Sequence, residues 1–89
     1  MHTYRFIISG RVQGVWYRDT IKKKAEALDI TGYAKNLPDG TVEVVANLTE
    51  NQIDEFCKIL EKGSLLSKVE NIETGEIMPA YFETFEVRY

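Results

Sequence analysis

The apolar spacings along the chain predict an α+β sandwich. The expected order is β-α-β-β-α-β plus a short C-terminal strand, with two helices on one face of an antiparallel sheet. Three observations carry this reading. Residues 3–11 and 41–47 alternate apolar and polar side chains with period two. Residues 17–28, and later the stretch between Thr49 and Gly63, repeat apolar residues at helical spacing. Pro38-Asp39-Gly40 stands between two strand-like runs and suits a hairpin turn.

Each element follows from its residues. In Thr3–Arg11, Tyr4, Phe6 and Ile8 alternate with Arg5, Ile7 and Ser9, as in a strand with one buried face. Gly10 to Gly14 is a break. Tyr17, Ile21, Ala25 and Leu28 form one helical stripe, and Lys22, Lys23 and Lys24 mostly face away from it. Thr31–Leu37 and Thr41–Asn47 form the hairpin, with Val42, Val44 and Ala46 inward. Thr49 and Gln52 have capping-box spacing and open a second helix on Ile53, Phe56, Cys57 and Leu60, which Gly63 ends. Val69–Gly75 reads as a strand, although Val69 and Ile72 break strict alternation. Phe85, Val87 and Tyr89 alternate in the last one. This is the split-βαβ, ferredoxin-like order. It brings the loop after the first strand and the end of the second, Asn36-Leu37, to one edge of the sheet.

Composition narrows the function classes. Eighty-nine residues with 44% hydrophobic and 28% charged content read as a single domain over residues 1–89. No apolar run approaches the length of a membrane span, and no signal segment is expected, so the expected location is cytoplasmic. A lone Cys57 and a lone His2 leave no disulfide and no zinc set, and a metal site built purely from carboxylates stays open but has no motif; no cofactor is expected. The net charge of −3 argues against nucleic acid as a partner. Yet residues 1–36 carry +4 and the remainder −7. An anion would therefore bind in the first third.

The segment Gly10-Arg11-Val12-Gln13-Gly14-Val15-Trp16-Tyr17-Arg18 joins a strand to a helix N-terminus. Glycines at both ends of Arg11-Val12-Gln13 let backbone N–H groups converge into an anion nest. No Ser, Thr, Asp or Asn stands between Arg11 and Tyr17 to cap the helix, so its N–H donors and dipole stay free for an external oxyanion. Arg18 in the first turn suits bidentate phosphate binding. The loop lacks the Walker lysine of nucleotide P-loops.

These residues resemble the acylphosphatase family. Gly10 to Arg18 is similar to that family's first signature. Gly32-Tyr33-Ala34-Lys35-Asn36-Leu37-Pro38-Asp39-Gly40-Thr41-Val42-Glu43 is similar to its second. The resemblance extends to the Phe85–Tyr89 ending. Tyr17 stands where phenylalanine is commoner, Ser64 where proline is commoner, and Trp16 at a variable place. The resemblance implies metal-independent hydrolysis of an acyl phosphate to a carboxylate and inorganic phosphate. It implies that Arg18 binds the phosphoryl group and that Asn36 orients the attacking water. Backbone N–H groups of Arg11, Val12, Gln13, Gly14, Val15, Trp16 and Tyr17 would hold the phosphoryl oxygens. A carboxylate leaves readily, so positioning and charge stabilisation suffice.

Plainer readings stand beside these. Arg18 could pair with Asp19 or Glu83, and Asn36 before Pro38-Asp39-Gly40 could be a turn residue. Cys57 reads as core and Lys22–Lys24 as a solvated helix face. Trp16 reads as packing the loop rather than as a platform for substrate. The carboxylate of Tyr89 is expected on the same edge as Arg18, where it could orient the guanidinium. RNA-recognition domains share the topology but read RNA with aromatics on central strands, and Thr41–Asn47 has none. A non-catalytic anion-sensing domain would share the loop and Arg18, but would not need Asn36. Monomer is the expected state.

Overall fold

A computed structural model describes residues 1–89. Its elements are β1 (His2–Arg11), α1 (Tyr17–Ala27), β2 (Thr31–Asn36), β3 (Val42–Leu48), α2 (Glu50–Lys62), β4 (Lys68–Ile77) and β5 (Phe85–Arg88). The sheet order is β4-β1-β3-β2-β5. Phe6 and Ile8 of β1, Ala34 of β2, and Val42, Val44, Ala46 and Leu48 of β3 form one apolar surface. Tyr17, Ile21 and Ala25 of α1 and Phe56 and Leu60 of α2 close over it. The Phe6 and Phe56 rings meet at 5.5 Å. Burying a side chain of this size stabilises the fold by about 1.5–3 kcal/mol, so this seam holds sheet and helices together. Leu28, Ile53 and Cys57 are only partly buried at its margin.

Local sequence sets the ends of the elements. The Thr49 N–H donates to Gln52 Oε1 at 3.1 Å, the capping interaction read from their spacing. Asp39 Oδ1 accepts from the Thr41 N–H at 3.0 Å and stabilises the β2–β3 turn.

Two features depart from the simple expectation. The sheet is antiparallel from β4 to β2, but β5 lies parallel to β2. The reason is the route of the chain. β4 ends at the edge opposite the loop, and the connection 78–84 crosses beneath the sheet to enter β5 from there. This strap is pinned at Ala80, whose N–H donates to Thr3 Oγ1 at 3.1 Å and whose carbonyl accepts from Asn47 Nδ2 at 2.8 Å. The parallel course brings the end of β5 to the edge holding the loop and Asn36.

The broken alternation of β4 is a β-bulge. Ser9 pairs with Asn71 but Gly10 pairs with Val69, so the register shifts at Glu70. That extra residue turns both Val69 and Ile72 toward the core. Gly10 has φ 122°, and a Cβ there would stand 2.2 Å from the Lys68 carbonyl oxygen. Only glycine fits.

Candidate active site

The loop between β1 and α1 is anchored from below. Val12 and Val15 are 1% and 4% exposed and belong to the core. Gly14 and Trp16 both take left-handed backbone, with φ of 73° and 65°. At Gly14 an added Cβ would meet nothing within 4 Å, so the backbone angle, not space, calls for glycine. At Trp16 the same region strains a bulky residue by about 1–2 kcal/mol. Alternating left-handed residues turn successive N–H groups outward. No backbone N–H from Val12 to Asp19 donates to another atom of the chain. Trp16 is the N-cap residue of α1 and gives no side-chain cap. The uncapped N-terminus read from the sequence is present.

Three side chains brace this loop. Gln13 Nε2 donates to the Leu37 carbonyl at 2.8 Å and to the Thr41 carbonyl at 2.9 Å. Its side chain thereby ties the loop to the turn that follows Asn36. Ser64 Oγ donates to the Val15 carbonyl at 2.5 Å. The Ser64 N–H donates to Ser67 Oγ at 2.9 Å, a bond that proline could not make. Tyr17 O–H donates to the Leu60 carbonyl at 2.7 Å, and burial pushes its pKa far above the ordinary value. The two positions where the chain differs from the commoner family residues thus both bind the loop and α1 to the end of α2.

Arg18 is held from β5. Its Nη1 donates to the Arg88 carbonyl at 2.6 Å, and its guanidinium carbon lies 4.7 Å from the centre of the Tyr89 ring. No carboxylate pairs with it. Asp19 instead bonds Lys23 at 3.2 Å, one turn along α1. The expected Tyr89 carboxylate contact is replaced by a carbonyl and a ring, because the strand turns backbone and ring toward α1. The remaining guanidinium donors stay unbonded. Beside them opens a cleft of about 590 Å³ whose lining includes Trp16, Arg18, Asp19, Lys22, Val87 and Tyr89.

Asn36 closes β2 on the same edge. Its Oδ1 is fully buried and has no hydrogen-bond partner. It does not line the cleft. A buried acceptor left empty costs about 1–3 kcal/mol, and this one lies at the end of β2 on the same edge as the unbonded amides.

The fold therefore gathers Val12, Gln13, Gly14, Val15, Trp16, Tyr17, Arg18 and Asn36 at one edge. Arg11 does not join them as a loop residue. It is the last residue of β1 and pairs with Lys68. Gly10 likewise serves the bulge rather than the nest, and the left-handed partner of Gly14 is Trp16. The bracing roles of Gln13, Ser64 and Arg88 carry no local sequence signal, since each reaches across at least 24 residues. No group of three or more His, Cys, Asp or Glu side chains comes together. No helix is long and apolar enough to cross a membrane.

The chain has counterparts among known proteins. The family profile described as Acylphosphatase matches residues 4–87, nearly the whole chain. The chain belongs to the acylphosphatase family. An acylphosphatase of Legionella pneumophila (strain Corby) is 51% identical over 75 residues, covering 84% of this chain and 81% of that one. One of Alkalilimnicola ehrlichii is 42% identical over 83 residues, covering 93% of each. Among solved structures, the acylphosphatase from Bacillus subtilis superposes with a TM-score of 0.93 at 36% identity over the full length of both chains. This acylphosphatase is accordingly a hydrolase of acid anhydrides, acting on an acyl phosphate and releasing phosphate.

Proposed function

We propose that the N–H groups of residues 12–17 and the Arg18 guanidinium hold the phosphoryl group, and that Asn36 orients the water that attacks it. The observation that carries this reading is the run of unbonded N–H groups from Val12 to Asp19 beside the free donors of Arg18, with Asn36 ending β2 on the same edge. A water hydrogen-bonded to the Asn36 side-chain amide keeps a lone pair directed at phosphorus. The water oxygen bonds to phosphorus as the bond from phosphorus to the acyl oxygen breaks. The carboxylate leaves with the electron pair, and both water protons end on the released phosphate. Asn36 cannot accept a proton, so a phosphoryl oxygen takes it. Arg18 and the amides stabilise the charge that spreads over the equatorial oxygens. No metal is needed in this scheme, because those donors supply the positive field.

All of these parts come from one chain, which supports a single-domain enzyme acting as a monomer. The net charge of −3 supports a small-molecule partner rather than nucleic acid or an anionic membrane.

Two variants test the assignment, each by turnover on acetyl phosphate and by Kd for inorganic phosphate. Asn36→Ala should lose about 10²–10³ in kcat while phosphate Kd stays within about threefold. Arg18→Ala should lose both. Near-normal turnover in Asn36→Ala would remove that residue from the chemistry, and a lost phosphate site would make it a binding group.

A further inference from the structure

Trp16 is the only tryptophan of the chain, and nothing in the fold accounts for it. Packing of the loop is done by Val12 and Val15. Trp16 is 75% exposed on a left-handed backbone that an aromatic residue adopts only under strain. An apolar ring held in water by a strained main chain does not serve folding. Tyr89 is also exposed, and its ring stacks under the Arg18 guanidinium. Both rings line the same cleft as Arg18.

The rest of the substrate has one way to go. With a phosphoryl group on the loop amides, the inward direction is filled by Val12 and Val15. The side toward β3 is closed by the Gln13 amide and its two carbonyl partners. The open side is the cleft toward α1 and β5. Asn36 does not line that cleft, so the acyl group and the water assigned to Asn36 do not compete for it. The acyl group then lies beside Trp16, Val87 and Tyr89.

Resting on the anion site proposed above, we infer that Trp16 and Tyr89 form an acyl-group subsite that favours acyl phosphates with a flat aromatic acyl group over small aliphatic ones.

The test compares kcat/KM on benzoyl phosphate and acetyl phosphate for the wild-type chain, Trp16→Ala and Trp16→Phe. Intrinsic reactivity differs between the substrates but is common to all variants, so the benzoyl-to-acetyl ratio isolates the acyl contact. Trp16→Ala should lower that ratio about fivefold, and Trp16→Phe should restore most of it. A second readout needs no turnover. Phenacylphosphonate, with a methylene in place of the scissile oxygen, should change the Trp16 emission and bind more tightly than acetonylphosphonate. An unchanged ratio in Trp16→Ala overturns the subsite, even where both rates fall, because the residue would then serve only the loop. Phenacylphosphonate that competes with phosphate without altering Trp16 emission overturns it as well. Failure of the anion site reads differently. Arg18→Ala would then bind inorganic phosphate like the wild type, and the subsite would fall with it.

Discussion

Gln13 and Leu37 are joined across the site by a hydrogen bond of 2.8 Å, and the same Gln13 amide bonds the Thr41 carbonyl at 2.9 Å. One side chain therefore sets the spacing between the loop amides and the turn that follows Asn36. Gln13→Met keeps length and flexibility but removes both donors. It should lower kcat on acetyl phosphate about tenfold or more, since small misplacement of a positioned group is costly, and affect phosphate Kd less. It should also lower stability by about 1 kcal/mol, because two hydrogen bonds are lost while the Leu37 and Thr41 carbonyls each keep a backbone donor. Urea unfolding and steady-state kinetics on the same preparation measure both. Equal loss in kcat and phosphate affinity would place the effect in the loop alone.

Tyr17 gives the fold an alkaline limit. Burial raises its pKa in the folded chain, whereas the unfolded chain titrates near its ordinary value of about 10. The stability linked to this group is complete below that pH. Above it, the unfolded chain sheds a proton that the folded chain retains, so stability falls with rising pH at up to about 1.4 kcal/mol per unit. Tyr17→Phe should flatten that decline in urea midpoints above about pH 10. Near neutrality the variant should cost about 1–2 kcal/mol, because the buried Leu60 carbonyl loses its donor. An unaltered alkaline limb would assign the decline to other tyrosines, Tyr33 first, whose pKa burial and the neighbouring Glu43 also raise.

Ser64 holds the loop at Val15 through its hydroxyl and the end of α2 through its N–H. Ser64→Ala removes the first bond only, whereas Ser64→Pro removes both. The alanine variant should lose about 1 kcal/mol, and the proline variant more unless its fixed φ offsets part of the loss. Thermal unfolding of the two variants measures the difference. Proline more stable than alanine would show that the N–H bond to Ser67 contributes little.

The elements were legible because each has an apolar face that must be buried: Phe6 and Ile8 with period two, Tyr17, Ile21 and Ala25 with helical period. That Arg18 and Asn36 share one edge was legible because topology alone brings the loop after β1 and the end of β2 together there. The parallel pairing of β5 was not, since it depends on where the strap 78–84 crosses. The role of Gly10 was misplaced for a similar reason. A bulge is a property of two strands, and β1 alone does not reveal that Lys68 approaches its backbone. Trp16 was read as packing the loop because an aromatic beside valines usually does. The left-handed backbone at Trp16 turns it outward, and no local pattern encodes that.

Inorganic phosphate should stabilise the folded chain, because only the folded loop presents the unbonded amides of residues 12–19 together. At 100 times Kd the gain is about 2.7 kcal/mol, readable as a rise in the unfolding temperature. Arg18→Ala should abolish most of that rise. Lys22→Ala serves as the comparison: Lys22 lines the cleft one turn beyond Arg18 but belongs to the acyl side, so most of the rise should remain. Gly14→Ala separates geometry from charge. Its Cβ would touch nothing, so the variant alters only the cost of the left-handed backbone, about 1–2 kcal/mol. A loop relaxed to right-handed backbone would turn an amide away, and the phosphate-induced rise should shrink without any change in charge. A full rise in Gly14→Ala would mean that Arg18 alone holds the anion. A rise lost in Lys22→Ala but kept in Arg18→Ala would move the anion site off the loop and onto the lysine face of α1.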